Sequence, residues 1–392
     1  MTNYPKVILK PARDKPLKNF HPWVFLGAIS RLPEFENGGI LAVENAEGTH
    51  LGYGYFNRGQ SIIGRMLSFN DKDPIESVLE NVKSALSLRQ AFVGGDTNAY
   101  RLINGEGDNL PGLIVDRYAD VLVVQINTLG MEKLKPIIFP LLTELTGIVS
   151  IFEKSSSQTR RKEGLPDSAT WFGEAVAQPI EIIEHGLKFL VNVETGQKTG
   201  LFLDQREMRQ LVRSLSKEKT VLNCFGYTGG YSVYALAGGA KRADTVDLDK
   251  NAIALAQQNV ELNGFSTTEN SFITADVFEF LKQKQKISEY DFVVLDPPAF
   301  AKRASDVANA SRGYREINRL VLEAIKPGGM LLTSSCSSHI DRALFQTIIF
   351  GAAKQAGRKV RILSQHVLAV DHPVNLYYPE GDYLKSLLLY VE

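Results

Sequence analysis

The sequence predicts an α/β protein whose C-terminal half forms a doubly wound parallel sheet, preceded by a small β-barrel and a small α+β unit. After about residue 184, short apolar segments alternate with amphipathic ones, which is typical of strands and helices in a parallel sheet. Before residue 70, short strand-like segments are separated by glycine and polar turns, which favours a β-barrel. We find no internal repeat.

Three domains follow from these patterns, with boundaries at 1–70, 74–183 and 184–392. The stretch SFNDKDP at 68–74 is interpreted as a linker, and Asp73 and Pro74 suit the start of a helix over 75–93. A second helix is expected near 131–146. The basic tail KSSSQTRRK at 154–162 is interpreted as a solvated loop.

The third region supplies the parallel sheet. Its helix over 250–263 is well marked, because Asp249 is a natural N-cap and Gly264 a natural stop. The predicted strands are TVLNCF, ADTVDL, SFITAD, DFVVLD and GMLLTSSC, in chain order.

Composition limits the possible classes of protein. The 392 residues carry no net charge and include only two cysteines, too few for a disulfide framework or a metal-binding spacing. No apolar run reaches the ~20 residues of a membrane span. The first twenty residues lack the apolar core of a signal peptide. We therefore expect a cytoplasmic protein without a bound metal.

A glycine-rich loop, NCFGYTGGYS at 223–232, follows the first strand of the sheet. Glycines let a backbone turn sharply and approach a ligand, but this spacing matches neither the dinucleotide motif nor the P-loop. Asp247 ends the next strand, where a carboxylate can bind ribose hydroxyls. Asp276 ends the third, where it can meet an adenine amino group. A nucleoside cofactor without a phosphate requirement fits, and we predict S-adenosylmethionine.

Each of these acids alone is more typical of a helix cap or a turn, but acids at several strand ends of one sheet favour a binding site. The predicted cofactor contacts are Asn223, Phe225, Gly226, Tyr227, Thr228, Gly229, Asp247, Asp276, Val277 and Asp296.

The fourth strand ends in the Asp-Pro-Pro of DFVVLDPPAFAK at 291–302. Both prolines fix φ and lack an N–H, so they form a rigid wall, and an aromatic after them is typical of enzymes that methylate nucleobases. A structural turn is the alternative. Predicted substrate contacts are Pro297, Pro298 and Phe300, with the basic residues Lys302 and Arg312 suited to a phosphate backbone.

Cys336 follows the fifth strand, so it belongs at the same edge of the sheet as Asp296. Carbon 5 of a pyrimidine is a poor nucleophile until a thiolate adds at carbon 6 and makes the ring enamine-like. We predict Cys336 as this nucleophile, helped in its ionisation by the helix that begins near Ile340. A small buried apolar side chain is the alternative. We expect Cys224 to be a core or cofactor-lining residue.

With these motifs in hand, the chain resembles, over nearly its whole length, the large-subunit ribosomal RNA cytosine-C5 methyltransferases that carry an N-terminal PUA domain. The segments that carry the resemblance are HPWVF (21–25), YRLINGEGDNLPGLIVDRY (100–118), GQKTGLFLDQRE (196–207), VLNCFGYTGGYS (221–232), LDPPAF (295–300), TSSCSSH (333–339) and DHPVNLYYPEGDYLK (371–385).

The resemblance implies a PUA domain, a central α+β domain and a class I methyltransferase domain with a seven-stranded sheet. It implies formation of 5-methylcytosine in 23S rRNA, with Cys336 as nucleophile and Asp296 holding the cytosine at N3. It also implies a homodimer, and it places Gln205 at the cofactor site. This chain departs from other RNA cytosine-C5 methyltransferases, because Ala299 stands where they carry a second cysteine after the proline. Another base must then remove the carbon-5 proton.

Two other functions remain compatible with the residues. One is methylation of a purine nitrogen in rRNA, which would not need Cys336. The other is a non-catalytic RNA-binding factor for ribosome assembly that retained the fold.

Overall fold

The computed structural model describes residues 4–301, 303–366 and 368–392, which form two compact units. The first unit contains the chain up to His185 together with Val191–Leu203 and Val370–Gly381. The second contains Gly186–Leu190, Asp204–Ala369 and Asp382–Glu392. Two segments from the predicted third domain thus belong to the first unit.

The first unit is built on a six-stranded and a five-stranded sheet, in the orders β2-β6-β5-β4-β1-β3 and β11-β10-β9-β8-β7. The strands of these sheets are β1 (Lys6–Leu9), β2 (Trp23–Phe25), β3 (Ile29–Arg31), β4 (Gly39–Glu44), β5 (His50–Phe56), β6 (Ile62–Phe69), β7 (Ala99–Asn104), β8 (Leu113–Tyr118), β9 (Val121–Ile126), β10 (Ser150–Ser155) and β11 (Ser168–Phe172). A further strand, β12 (Ile180–Glu184), lies outside both sheets. Each of the two sheets has its own buried apolar cluster.

Four helices accompany these sheets: α1 (Lys15–Lys18), α2 (Pro74–Phe92), α3 (Leu129–Thr146) and α4 (Gln158–Lys162). The helices predicted at 75–93 and 131–146 are confirmed as α2 and α3. As expected, α2 begins at a proline, and the Asp73 carboxylate caps it by accepting the N–H of Ile75 and of Glu76.

The prediction of a solvated loop at 154–162 is wrong. β10 extends to Ser155, and α4 follows almost at once. Arg160 is buried and pairs with Glu132 at 2.7 Å, so the basic residues are partly internal. A buried guanidinium needs such a partner, and the acid that supplies it lies 28 residues away in the sequence.

The second unit is built on a seven-stranded sheet in the order β16-β15-β14-β17-β18-β20-β19. Its strands are β13 (Leu187–Val191), outside that sheet, then β14 (Thr220–Cys224), β15 (Arg242–Asp247), β16 (Phe272–Thr274), β17 (Phe292–Leu295), β18 (Met330–Ser335), β19 (Val360–Gln365) and β20 (Lys385–Val391). Its helices are α5 (Arg206–Leu215), α6 (Gly230–Ala237), α7 (Lys250–Leu262), α8 (Val277–Leu281), α9 (Lys284–Ile287), α10 (Val307–Ala324) and α11 (Arg342–Ala356).

The five strands from β14 to β18 are parallel, whereas β20 is antiparallel to both β18 and β19. The central strand β17 is buried at all four positions, as expected for a strand covered by helices on both faces. The strand order reverses between β14 and β17. The predicted doubly wound α/β class and the seven-stranded sheet are confirmed.

The structure also confirms α7, with Asp249 accepting the N–H of Asn251 at 2.8 Å. Among the residues that the model describes, no helix combines the length and the apolar character needed to cross a membrane.

We expect Gly130→Ala to destabilise the first unit. Alanine normally favours a helix over glycine by ~1 kcal/mol, but a Cβ at Gly130 would lie 2.0 Å from Cγ of Tyr55. Tyr55 cannot move aside easily, because its hydroxyl donates to the carbonyl of Pro111 at 2.7 Å. Overpacking of this kind costs ~1–3 kcal/mol. Tryptophan fluorescence during urea unfolding measures it, since Trp23 and Trp171 both lie in this unit.

Gly95→Ala is the matched control, because Gly95 is exposed and a Cβ there meets no atom within 4 Å. Equal unfolding midpoints for the two variants would contradict the packing argument.

Candidate active site

The predicted site residues lie where the parallel strands of the second unit end. Cys224 is the last residue of β14 and Asp247 of β15, whereas Asp296 directly follows β17 and Cys336 directly follows β18. β17 pairs with both β14 and β18. Because neighbouring strands are ~4.8 Å apart, the ends of these strands form one edge. Ligands bind such sheets at the reversal of strand order.

The loop between β14 and α6 is held in an unusual backbone conformation. Phe225, Tyr227 and Gly229 have φ values of 58°, 45° and 78°. A left-handed φ is rare for residues other than glycine, and each such residue costs on the order of 1–2 kcal/mol. Such strain collects at functional sites, where the surrounding structure enforces it. The sequence predicts unusual φ values only at the glycines of this loop, so the left-handed φ values of Phe225 and Tyr227 are unexpected.

Contacts on both sides of the loop enforce this conformation. The N–H of Gly226 donates to the carbonyl of Val246 at 3.0 Å, and the N–H of Tyr227 donates to Oδ2 of Asp247 at 2.9 Å. The carbonyl of Thr228 accepts from the Asn259 amide at 2.9 Å. The loop is therefore fixed to the end of β15 and to α7.

Asp247 and Asp276 differ in their surroundings. Asp247 is half-buried, and besides Tyr227 it accepts the N–H of Asp249 at 2.9 Å. Asp276 is exposed and caps α8 by accepting the N–H of Glu279 at 3.1 Å. The alternative interpretation of a helix cap thus accounts for one oxygen of Asp276, while the neighbouring Val277 is buried.

Gln205 connects helix α6 to Asp296. Its side chain is buried; Nε2 donates to Oδ1 of Asp296 at 2.9 Å, and Oε1 accepts from the hydroxyl of Tyr231 at 3.1 Å. This chain of hydrogen bonds joins the start of α6, the segment before α5 and the end of β17. It fixes the orientation of the Asp296 carboxylate.

The Asp-Pro-Pro turn lies against the predicted nucleophile. Sγ of Cys336 is 4.0 Å from the carbonyl oxygen of Pro297. Pro297 is buried and Pro298 exposed, so the second proline forms the accessible part of the wall. Phe300 packs on Tyr314, with ring centroids 4.5 Å apart, and is only partly accessible.

Ser337 and Lys385 are two residues of this region that sequence reasoning missed. The Ser337 hydroxyl accepts the N–H of Ala301 at 3.1 Å and lies 3.0 Å from the Tyr314 hydroxyl. The carbonyl of Ser337 accepts from Nζ of Lys385 at 2.7 Å. The sequence offers one signal for Lys385, its place at the end of the segment DHPVNLYYPEGDYLK (371–385). That segment does not predict that β20 pairs with β18 and so brings Lys385 to the site.

Two further sequence predictions concern residues near the site. Cys224 is fully buried, and burial raises the pKa of its thiol, as suits a core residue. His339 is exposed. The helix after Cys336 is capped by Asp341, whose carboxylate accepts the N–H of Leu344 at 2.7 Å. A carboxylate thus lies at the helix end that was expected to favour a thiolate.

The basic segment after the Asp-Pro-Pro turn is less uniformly basic than its sequence indicates. Arg319 pairs with Glu316 at 2.6 Å, and this hydrogen bond raises the pKa of the guanidinium. Arg312 is exposed and donates to Asn309 on its own helix. Lys302, predicted to contact substrate, lies outside the described residues.

Comparison with known families gives two matches along the chain. Residues 101–355 match the model of the S-adenosylmethionine-dependent methyltransferases, and residues 7–69 match that of a PUA-like domain.

Curated relatives match almost the full length. The chain is 40% identical to the ribosomal RNA large subunit methyltransferase I of Aeromonas hydrophila, over 98% of both chains. It is 38% identical to the protein of the same name from Klebsiella pneumoniae strain 342, over 98% of this chain and 97% of that one.

Solved structures share the fold. A methyltransferase complexed with SAH superposes with a TM-score of 0.86 and 24% identity, covering 98% of this chain and 99% of that chain. A SAM-dependent methyltransferase from Streptococcus mutans gives a TM-score of 0.84 and 23% identity, with the same coverage.

The cofactor of this chain is S-adenosylmethionine, and the strand-end residues fit it. A Cβ at Gly226 would lie 2.4 Å from Cγ2 of Thr245, so the close approach of the loop to β15 requires glycine. Oδ1 of Asn223 is a buried acceptor without a hydrogen-bond partner in the described part of the chain. Asp247 adds a half-buried carboxylate to the same edge.

We expect Asp247→Asn to weaken binding of S-adenosylhomocysteine by about 10- to 100-fold. A hydrogen bond to a charged group contributes ~1.5–3 kcal/mol, and each 1.4 kcal/mol is tenfold in affinity. The single amide oxygen of the asparagine can still accept the N–H of Tyr227 and hold the loop, while the N–H of Asp249 loses its acceptor. Isothermal titration calorimetry measures the change.

Asp249→Asn is the control two residues away. Asp249 caps α7, and asparagine is an equally good N-cap, so affinity should stay at the wild-type value. Wild-type affinity in Asp247→Asn would remove Asp247 from the cofactor site.

Proposed function

This chain belongs to the ribosomal RNA large subunit methyltransferase I family, and on that premise we propose that it methylates carbon 5 of a cytosine in 23S rRNA through a covalent cysteine adduct. S-adenosylmethionine-dependent methylation of ribosomal RNA follows from the family itself. The observation that carries the finer proposal is the 4.0 Å separation between Sγ of Cys336 and the carbonyl oxygen of Pro297. It puts a half-buried thiol beside a turn of the kind that holds nucleobases.

Cys336 acts as the nucleophile. Its thiolate adds to carbon 6 of the cytosine, and the electron pair moves toward carbon 5, which becomes nucleophilic. After carbon 5 has gained the methyl group, a base removes its proton, the double bond reforms and the thiolate leaves. A neutral purine nitrogen needs no such activation, so a thiol at this position favours pyrimidine carbon chemistry.

Asp296 holds the cytosine during this addition. Negative charge that develops on the ring is stabilised when the protonated form of Asp296 donates a hydrogen bond, or its proton, from its second oxygen to N3. Gln205 fixes one carboxylate oxygen through its hydrogen bond at 2.9 Å. The geometry at Asp296 is therefore set before substrate arrives, which is the condition for efficient stabilisation.

S-adenosylmethionine supplies the electrophilic methyl group when bound. The loop residues Phe225–Gly229 and the side chains of Asn223, Asp247, Asp276 and Val277 are proposed to hold it. The left-handed φ values of Phe225, Tyr227 and Gly229 restrict the backbone path of this loop.

The RNA is proposed to reach the site as a flipped or unpaired base, because a stacked cytosine is inaccessible to Cys336. Pro298 and Phe300 offer an apolar surface to the base, and the exposed Arg312 suits a phosphate. The PUA-like domain at 7–69 is proposed to bind the surrounding RNA.

The proposal includes a homodimer that acts in the cytoplasm, as implied by the family resemblance. Light scattering on the full chain tests the dimer directly.

We expect a stable complex between the protein and rRNA fragments that contain 5-fluorocytosine. Fluorine at carbon 5 cannot leave as the proton does, so the thiolate stays attached to carbon 6 after methyl transfer. Denaturing gel electrophoresis and mass spectrometry should show one adduct that depends on S-adenosylmethionine and is attached at Cys336.

Cys336→Ala should lose both the adduct and methylation, whereas Cys224→Ser should retain both. Methylation that persists in Cys336→Ala would instead favour a purine nitrogen as the target. Absence of cofactor binding in the wild type would favour a non-catalytic role.

A further inference from the structure

Lys385 is a buried lysine beside the proposed nucleophile, and this inference rests on the proposed function of Cys336. Lys385 is the first residue of β20 and lies opposite Ser335, the last residue of β18, in the antiparallel register. It is 3% exposed. Lysine is almost never fully buried unless it is paired, so its position calls for a partner.

The hydrogen bonds of the Lys385 ammonium group place it beside the turn that contains Cys336. Nζ donates to the carbonyl oxygen of Ser337 at 2.7 Å and to that of Tyr383 at 2.6 Å. Ser335 and Ser337 flank Cys336 directly, so Lys385 contacts the backbone on both sides of it. Within the described ranges, no carboxylate lies within ion-pair distance of Lys385.

The surrounding charges leave Cys336 as the main candidate for a counter-ion. Burial lowers the pKa of Lys385 to about 8, and the Cys336 side chain most strongly opposes this effect. Asp382 pairs with Arg342 at 3.0 Å, and Asp341 caps α11. Both acids are thus engaged elsewhere.

We propose that Lys385 is a positioning residue that maintains Cys336 as a thiolate through its buried positive charge. The thiol proton passes to solvent, while at neutral pH, below its own pKa of about 8, Lys385 keeps all three of its protons as an ammonium ion. The two charges then stabilise each other, because each offsets the desolvation of the other. The helix after Cys336 cannot provide this charge alone, since Asp341 places a carboxylate at its N-terminus.

The charged and titratable groups around Cys336 define the titration that tests this proposal. Among the described residues they are Lys385 on β20, Tyr314 on α10, Asp341 and Arg342 at the start of α11 and Asp382, which act on Lys385 or Cys336, together with Asp296 and His339 on the neighbouring loops. Burial raises the pKa of Tyr314, so this hydroxyl stays neutral over the pH range of the experiment.

The experiment measures the rate of alkylation by iodoacetamide against pH, on the full-length protein without RNA. The chain has only two cysteines, and Cys224 is fully buried, so the reaction reports on Cys336; Cys336→Ser confirms this. We expect the wild-type thiol to titrate below the ~8.5 of a free cysteine. A midpoint at or above that value would overturn the proposal without any further variant.

Lys385→Met removes the charge and retains most of the aliphatic side chain. We expect the pH midpoint of alkylation in this variant to rise by about 1 pH unit or more. A rise of that size makes the thiolate fraction at neutral pH about tenfold smaller. The midpoint is a better measure than the rate, because a more basic thiolate is also more nucleophilic. Lys385→Arg retains the charge and should stay near the wild type, as should Lys359→Met at an exposed position.

An unchanged midpoint in folded Lys385→Met would reduce Lys385 to a packing role and overturn the proposal. This outcome is distinguishable from failure of the proposed function, because alkylation needs neither RNA nor cofactor. A shifted midpoint together with full methylation by Cys336→Ala would retain the ion pair but reject the covalent mechanism.

Discussion

The parallel alignment of β14, β15, β17 and β18 is the constraint on which the whole site depends. Parallel strands in register end at one edge, so residues separated by more than 100 positions in the chain become neighbours. The central strand β17 contacts β14 on one side and β18 on the other. Its backbone hydrogen bonds therefore bring a cofactor loop, a carboxylate and a thiol to the same edge.

The strands bring the site residues close together at this edge, and hydrogen bonds from polar side chains then fix their orientation. Gln205 orients Asp296, and Ser337 joins the segment after the Asp-Pro-Pro turn to the segment after Cys336. A buried hydroxyl or amide is costly when it lacks a partner and rigid when it has one. The site is consequently stiff at its reacting groups, as preorganised stabilisation requires, while Pro298 and Arg312 at its entrance remain exposed.

The first unit relies on buried ion pairs that connect distant parts of the chain. Arg65 donates to Glu163 at 2.8 Å with both side chains nearly inaccessible, and Arg89 pairs with Asp108 at 2.6 Å. Asp371 accepts the N–H of Arg101 at 2.8 Å and fixes the segment Val370–Gly381 to this unit. Removing one partner from such a pair leaves an uncompensated charge, at a cost of ~3–5 kcal/mol.

The sequence by itself determined the doubly wound sheet, the helices α2, α3 and α7, and the strand ends at which Asp247, Asp296 and Cys336 lie, because hydrophobic period and cap residues are local signals. It could not determine the antiparallel insertion of β20 beside β18, since sheet order depends on contacts between remote segments. The burial of Lys385 and of Arg160 could not be predicted for the same reason. A charged residue is expected to be exposed unless a partner from a distant segment is known. Only the tertiary structure decided that Lys385 flanks Cys336, that Asp341 occupies the adjacent helix end and that Val370–Gly381 joins the first unit.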